Sequence, residues 1–399
     1  MWKTILVATA MLSAILPALA TDDAPPATAA AGKAPDVAAI RARAERGDAD
    51  AQFQFGRLCQ FGRGVAKDET QAADWYRKAA EQGHVHAQLQ LGRLYLQGQG
   101  VAKDDAQAFH WFRQAAEHGD AVAQYVLANR YAAGSGVARD DATALVWYRK
   151  AADQGDPAAQ SELGYRYVTG NGVTQDYAQA IAWLRKAADQ QDADAQKTLG
   201  YLYQKGLGVA KDAALAAQWY AKSAAQGNAG AKDALGALYL IGDGVAKDPA
   251  RASALLRAGA ERGDANIQAL FATALSQTHD GADHNVEAAH WYRKAADQGH
   301  ANAQFMLSMF YLQGQGVARD EREAIALARK SAAQGHEGAT CLLQILRPDQ
   351  RAGDPGLLDA AGRVAIAESE ECKAWGFKGN LKVELQSDGG AADRPAEAK

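Results

Sequence analysis

One interval governs this chain. Trp75-Tyr76, Trp111-Phe112, Trp147-Tyr148, Trp183-Leu184 and Trp219-Tyr220 stand 36 residues apart, and Trp291-Tyr292 returns in phase after a beat occupied by Leu255-Leu256. Paired loop glycines keep the same step, at Gly62/Gly64, Gly98/Gly100, Gly134/Gly136, Gly170/Gly172, Gly206/Gly208, Gly242/Gly244 and Gly314/Gly316. A fixed period of this size specifies stacked supersecondary units. No single unit can bury its apolar face alone, so neighbours must build a continuous core.

Within one period, Ala87, Leu91, Leu94 and Tyr95 recur at the spacing of one helix face. Gly92 interrupts that face where a neighbouring helix must come close, because a mid-helix glycine otherwise costs about 1 kcal/mol against alanine. Gly98-Gln99-Gly100-Val101 ends the first helix, glycine supplying the left-handed conformation that other residues resist. Asp104, repeated at Asp68, Asp140, Asp176, Asp212, Asp248 and Asp320, caps a second helix. Gln71, Gln107 and Glu323 follow such caps by three residues, the spacing of a capping box. The second helix buries Ala108, Trp111, Phe112 and Ala115 and closes at Gly119, after which Asp120 caps the next first helix. Each unit is thus two antiparallel helices, with Trp75, Trp111, Trp147, Trp183, Trp219 and Trp291 as structural anchors of the repeats.

The chain in order divides accordingly. Residues 1–20 carry Lys3, an apolar run from Ile5 to Leu16 and Ala18-Leu19-Ala20, the pattern of a secretory signal cleaved near Ala20. That run is shorter than the roughly 20 residues of a membrane span, so no transmembrane span is expected and the mature protein is assigned to the periplasm or the exterior. Residues 21–35 are Ala/Pro/Thr-rich and read as a flexible linker. A capping helix over Asp36 to Arg46 precedes eight units at 48–83, 84–119, 120–155, 156–191, 192–227, 228–263, 264–299 and 300–335, with a half-repeat at 336–347. The seventh unit is degenerate in its loop, where Thr278-His279-Asp280-Gly281-Ala282-Asp283-His284 replaces the glycine pattern. Residues 348–399 form a different, partly disordered extension, with a short helix from Leu357 to Glu368 and a weak strand pattern from Phe377 to Leu385. The expected fold class is all-α, a solenoid of about eight 36-residue helix-turn-helix repeats with capping half-repeats.

The quoted residues resemble the Sel-one-like repeat family, relatives of the tetratricopeptide repeats. Ala87/Leu91/Gly92/Tyr95, Gly98/Gly100/Val101 and Ala108/Trp111/Phe112/Ala115/Ala116/Gly119 follow its pattern position by position, over residues 36–346. The resemblance implies a right-handed α-solenoid that serves as an adaptor. Secreted bacterial members are similar to scaffolds or regulators in envelope, exopolysaccharide or host-interaction systems. A cysteine-rich branch has been linked to β-lactam binding, but this chain lacks the cysteine pair per repeat, so that activity is not carried over.

The expected partner is another protein or a peptide segment. Acidic and basic residues are interleaved at a formal charge of −4, which excludes an electrostatic nucleic-acid binder. Counting 100° per residue, two rows on the first helices point away from Leu91. One runs Arg57, Arg93, Asn129, Tyr165, Tyr201, and the other Phe53, Leu89, Tyr125, Ser161, Lys197. Phe53, Arg57, Leu89, Arg93, Tyr125, Asn129, Tyr165 and Tyr201 are the candidate partner-binding residues, since solenoids bind through continuous surfaces and Tyr and Arg anchor hot spots. The competing reading is that they pack between repeats or are solvated.

A basic row on the second helices pairs with acids four residues on, as in Arg77/Glu81, Arg149/Asp153 and Arg293/Asp297. His84, His300 and His336 stand where other repeats have a capping Asp. His279, Asp280, Asp283 and His284 are metal-ligand types in one loop, read here as a solvated surface rather than a metal site. Cys59 takes a tyrosine position as a buried filler, while an oxidising compartment would allow Cys341 and Cys372 to pair. No catalytic residue, metal or cofactor is assigned, for the chain has no G-x-S-x-G, S-x-x-K, H-E-x-x-H or Walker-type loop. A hydrolase or peptidoglycan/β-lactam-related activity is the alternative function class.

Overall fold

The computed structural model describes residues 36–278 and 282–346, and every element among them is an α-helix. The signal sequence, the linker, His279 and Asp280, the extension beyond 346 and the second partner of a Cys341–Cys372 bond lie outside these residues. A capping helix α1 (Val37–Glu45) precedes five helix pairs: α2/α3 (Ala49–Phe61, Glu69–Glu81), α4/α5 (Val85–Gln97, Asp105–Glu117), α6/α7 (Ala121–Ala133, Asp141–Asp153), α8/α9 (Pro157–Thr169, Tyr177–Asp189) and α10/α11 (Ala193–Lys205, Ala213–Ala225). Three further pairs follow: α12/α13 (Ala229–Ile241, Pro249–Glu261), α14/α15 (Ala265–Gln277, Ala282–Asp297) and α16/α17 (Ala301–Gln313, Glu321–Ala332). A single helix, α18 (Glu337–Leu346), is the last among the described residues. The chain divides into two compact units, one up to Ala231 and one from Lys232. In each, helices pack with their own partner and then with the next repeat, the arrangement of an α-solenoid.

Glycine and alanine set the distance within a pair. A Cβ on Gly92 would come within 2.8 Å of the Phe112 ring, and one on Gly200 within 2.7 Å of the Tyr220 ring. The second helix therefore rests the side chain that follows its Trp directly on the first helix's backbone. Tyr76, Phe112, Tyr148, Leu184 and Tyr292 are fully buried at these crossings. The tryptophans beside them are half-buried in unit one, and Trp291 is 8% exposed. Most of the packing thus falls on the residue after the Trp, because that position faces the pair axis whereas Trp sits on the flank shared with the neighbouring repeat.

The loop glycines do two jobs. Gly98 caps α4 in the left-handed region at φ 66°, its N–H reaching the Leu94 carbonyl. Gly100 (φ +67°) lets the loop touch the start of the preceding second helix, for a Cβ there would collide with the Glu69 carbonyl. The expected capping boxes form only by half. Asp68 accepts from the Gln71 N–H at 2.9 Å, but its own N–H is taken by the Cys59 carbonyl at 2.9 Å. The Gln71 carboxamide oxygen instead accepts from the Cys59 thiol at 3.0 Å. Cys59 itself is fully buried, and burial raises its thiol pKa.

A buried glutamine ladder joins successive repeats. Gln124 donates to the Ala116 carbonyl at 3.2 Å and accepts from Gln154 at 2.7 Å, and Gln52, Gln88, Gln160, Gln196, Gln268 and Gln304 repeat the first of these bonds. Buried amides tied at both ends satisfy helix-terminal carbonyls that would otherwise be orphaned. The glutamine is replaced at one step by Lys232, where the second unit begins.

Candidate partner-binding face

The candidate residues all lie on first helices of unit one: Phe53 and Arg57 on α2, Leu89 and Arg93 on α4, Tyr125 and Asn129 on α6, Tyr165 on α8, Tyr201 on α10. The structure sorts them into three groups. Tyr165 and Tyr201 are 44% and 43% exposed. Phe53, Arg57 and Arg93 are half-buried, with Phe53 stacked on His84 at 4.6 Å and the Arg57 guanidinium 6.0 Å from the Phe53 ring. Leu89, Tyr125 and Asn129 are buried.

The buried group has a plain cause. Leu89 packs with Ala123, Val126 and Leu127 of α6, and Tyr125 with Ala159 and Leu163 of α8. The Leu89 row borders its own second helix, as Phe53 does Tyr76 at 5.7 Å and Tyr125 does Tyr148 at 5.9 Å, and continues into the flank that the next repeat covers. A helical wheel drawn on one repeat holds no information about that neighbour. Asn129 belongs to the other row but is used internally, since the Tyr148 hydroxyl donates to its Oδ1 at 2.7 Å.

Around this bond lies a polar cluster that the sequence reading passed over. Burial pushes the Tyr125 and Tyr148 hydroxyl pKa values up, Tyr148 well above its ordinary value. The Arg166 guanidinium lies 4.7 Å from the Tyr148 ring and its Nε donates to Glu162 at 2.8 Å. Burial opposes the charge on Arg166, but Glu162 and Tyr148 outweigh it and raise the pKa overall. Arg166 is 1% exposed, at a position where other repeats have Leu58, Leu94 and Leu202. Arg130, one repeat earlier, is likewise buried, 5.9 Å from the Phe112 ring. Two arginines interrupting a leucine row were the available signal.

The basic row of the second helices is organised by aromatics rather than by acids four residues on. Lys78, Lys150, Lys186, Lys222 and Lys294 lie 4.0–4.3 Å above Trp75, Trp147, Trp183, Trp219 and Trp291. Arg149 and Arg185 donate to Tyr167 and Tyr203 of the next repeat at 2.5 and 2.7 Å, and Arg77 pairs with Asp74 at 2.8 Å instead of Glu81. Arg293 faces the Tyr311 ring at 5.4 Å. An aromatic ring held by packing offers a fixed target, whereas an exposed Glu or Asp must itself be ordered to pair.

The three histidines are caps. His84 and His300 accept from the N–H groups of Ala87 and Ala303 through Nδ1 at 3.1 Å, and His336 from Ala339 at 3.2 Å. Among the described residues no cluster of His, Cys, Asp or Glu could hold a metal ion, and no helix is long and apolar enough to cross a membrane.

The Sel1 repeat pattern matches residues 49–84, 85–120, 121–156, 157–192, 193–228, 230–264, 282–300 and 301–336. The chain belongs to the Sel1 repeat family. Its seventh repeat is matched only from 282, in keeping with the lost loop glycines. Among solved structures the chain is similar to c5321, described as a protective antigen present in uropathogenic Escherichia coli strains displaying an SLR fold. They share 39% identity at a TM-score of 0.69, over 80% of this chain and 68% of that one. It is also similar to a Sel1 repeat protein from Oxalobacter formigenes, with 34% identity and a TM-score of 0.51 over 78% of this chain and 90% of that one. The comparison with curated proteins gives no match. Sel1 repeat proteins are generally protein-interaction scaffolds and typically non-catalytic.

Proposed function

We propose that this Sel1 repeat protein is a non-catalytic periplasmic or secreted scaffold that binds another protein through the first-helix face of its N-terminal unit. The observation that carries the reading is the exposure of Tyr165 and Tyr201 in register on successive first helices, whereas Tyr125 of the adjoining row is packed away. Two large amphipathic rings on a rigid backbone give contact area at low entropic cost, the character of a binding hot spot. Arg57 and Arg93 continue the same row toward the N-terminus. The export pattern in residues 1–20 supports the location, and the E. coli relative's description as a protective antigen favours an envelope or host-interaction setting over an exopolysaccharide one.

The test uses the full chain expressed with its own residues 1–20. Cell fractionation and N-terminal sequencing should give a mature form beginning near Thr21 outside the cytoplasm. The immobilised wild type, a Tyr165→Ala/Tyr201→Ala variant and a Val146→Ser control on a second helix are then compared on envelope extract. A protein retained by wild type and control but lost from the double variant, with helical circular dichroism unchanged, supports the face. Equal retention by all three removes it, and a cytoplasmic unprocessed chain removes the location.

A further inference from the structure

Two helix caps in unit one carry a charge that capping does not need. Asp156 and Asp192 cap α8 and α10, accepting from the N–H groups of Ala159 and Ala195 at 2.7 Å. Asn228 does the same for α12 through its carboxamide oxygen at 3.0 Å, and His84 for α4 through Nδ1, so a neutral side chain suffices at this position. At the first repeat the charge is matched, for Asp48 pairs with Arg43 at 2.7 Å. Asp156 and Asp192 form no ion pair among the described residues, although Glu162 and Asp194 nearby are paired with Arg166 and Lys197 at 2.8 Å. Burial raises the pKa of both caps, and the charges of Asp120 and Asp192 add to the effect on Asp156. Unmatched carboxylates held partly out of water cost the fold stability, and a cation brought from outside would offset that cost.

Acids alone would define no ligand, but two further features stand on the same helices. Tyr165 and Tyr201 follow Asp156 and Asp192 by the same nine residues, about 13 Å at 1.5 Å per residue, and are 44% and 43% exposed. One repeat before Tyr165 in the same row, Asn129 is 6% exposed, and its Nδ2 donor has no acceptor among the described residues. The charges of Glu162, Asp156 and Asp192 all bear on the neighbouring Tyr125 hydroxyl, so these groups share one surface. A carboxylate takes a cationic head, an exposed ring takes the stem or plane behind it, and an orphan amide donor takes a carbonyl. A basic peptide carries all three. α8 and α10 are in direct contact, so one extended chain can span both. We propose that the segment bound by the first-helix face is an extended basic peptide, with Lys or Arg heads at Asp156 and Asp192, their stems across Tyr165 and Tyr201, and a backbone carbonyl at Asn129 Nδ2. This rests on the proposed partner-binding face and adds the chemistry of its occupant.

The experiment takes the full chain and three labelled peptides, alternating alanine with arginine, with glutamate or with serine, and reads fluorescence anisotropy. The arginine peptide should bind, more weakly as salt rises from about 50 to 300 mM, and the other two should not. Asp156→Asn/Asp192→Asn should raise its Kd roughly tenfold or more, with helical circular dichroism unchanged because asparagine keeps the cap. Tyr165→Ala/Tyr201→Ala should raise it as well. Asp153→Asn/Asp189→Asn removes the same charge from the exposed last turns of α7 and α9 and should leave Kd unchanged. No binding of the arginine peptide, equal binding by wild type and the Asp156/Asp192 variant, or an equal loss in the Asp153/Asp189 variant would overturn the proposal. Competition by spermidine as strong as by the unlabelled peptide would overturn the peptide in favour of a small polycation. A serine peptide held by wild type and lost from the tyrosine variant would keep the face and overturn its basic occupant, whereas arginine-peptide binding untouched in the tyrosine variant would overturn the part of Tyr165 and Tyr201 in the face itself.

Discussion

The Tyr148 hydroxyl donates to Asn129 Oδ1 at 2.7 Å, across the junction of α7 and α6, and the residue before the acceptor is Ala128. The same arrangement recurs in the seventh repeat, where Tyr292 meets Thr273 at 2.8 Å after Ala272. Where glycine stands in that small position, the tyrosine reaches a different residue. Tyr76 beside Gly56 bonds Gln60 at 2.7 Å, and Tyr220 beside Gly200 bonds Gln204 at 3.0 Å. One methyl group thus accompanies a switch of acceptor from nineteen residues back to sixteen. Where the anchor has no hydroxyl, as Phe112, Leu184 and Leu256, the later position is Leu96, Val168 and Leu240.

Removing one partner of the buried Tyr148–Asn129 bond strands the other. Tyr148→Phe should cost about 1–3 kcal/mol in chemical denaturation, the penalty of an unsatisfied buried polar group. The double variant Tyr148→Phe/Asn129→Leu should recover part of that loss. Additive costs in the double-mutant cycle would show that the bond contributes nothing.

Gly200→Ala places a methyl group against the Tyr220 ring and should destabilise unit one by about 1–3 kcal/mol. Adding Tyr201→Asn recreates the Ala-Asn pair found at 128–129 and should restore stability by giving the shifted hydroxyl an acceptor. Thermal unfolding of the single and double variants reads this directly.

The anchors predict an order within each aromatic pair. Tyr148→Ala should cost about 3–5 kcal/mol and Trp147→Ala less, because Tyr148 is fully buried and Trp147 half-buried. Lys150→Met removes only the cation over Trp147 and should cost under about 1 kcal/mol. Denaturation midpoints at constant slope would check the ranking.

The histidine caps predict a pH window. Burial lowers the pKa of His84 and His300, although Asp50 and Asp264 respectively act to raise it. A folded-state pKa below the unfolded value means that the unfolded chain takes up protons first. The stability is therefore present above the ordinary imidazole value of about 6.5 and is lost as pH falls through it toward the lowered folded value. Protonated Nδ1 cannot accept from the Ala87 or Ala303 N–H. Asp156 and Asp192 act oppositely and lower on the scale, for burial raises their pKa and protonation relieves it. Stability measured from pH 8 to 5 should fall in the wild type and fall less in His84→Asp/His300→Asp. Parallel curves would remove the caps as the cause.

Much of this molecule was legible from one dimension. The 36-residue step, the paired helices, the capping Asp at 68, 104 and 140, and the glycine turns all depend on contacts within about one repeat, so spacing reports them. Cys59 was placed as buried because it fills a position that is tyrosine elsewhere. The candidate face was legible only in outline. Tyr165 and Tyr201 are exposed as the wheel suggested, but Leu89 and Tyr125 lie on a flank that only the following repeat closes.

What the sequence by itself determined is the unit: two helices, their ends, and the apolar row between them, because these follow from helical periodicity and backbone conformation. What only the tertiary structure decided is how units share surfaces. It assigned Gln124 to a bridge between repeats, Lys150 to the Trp147 ring, and Asn129 to Tyr148. The first and last depend on distances between residues thirty and nineteen positions apart, and the Lys150 choice on competition among several partners, and a repeated pattern leaves both unspecified.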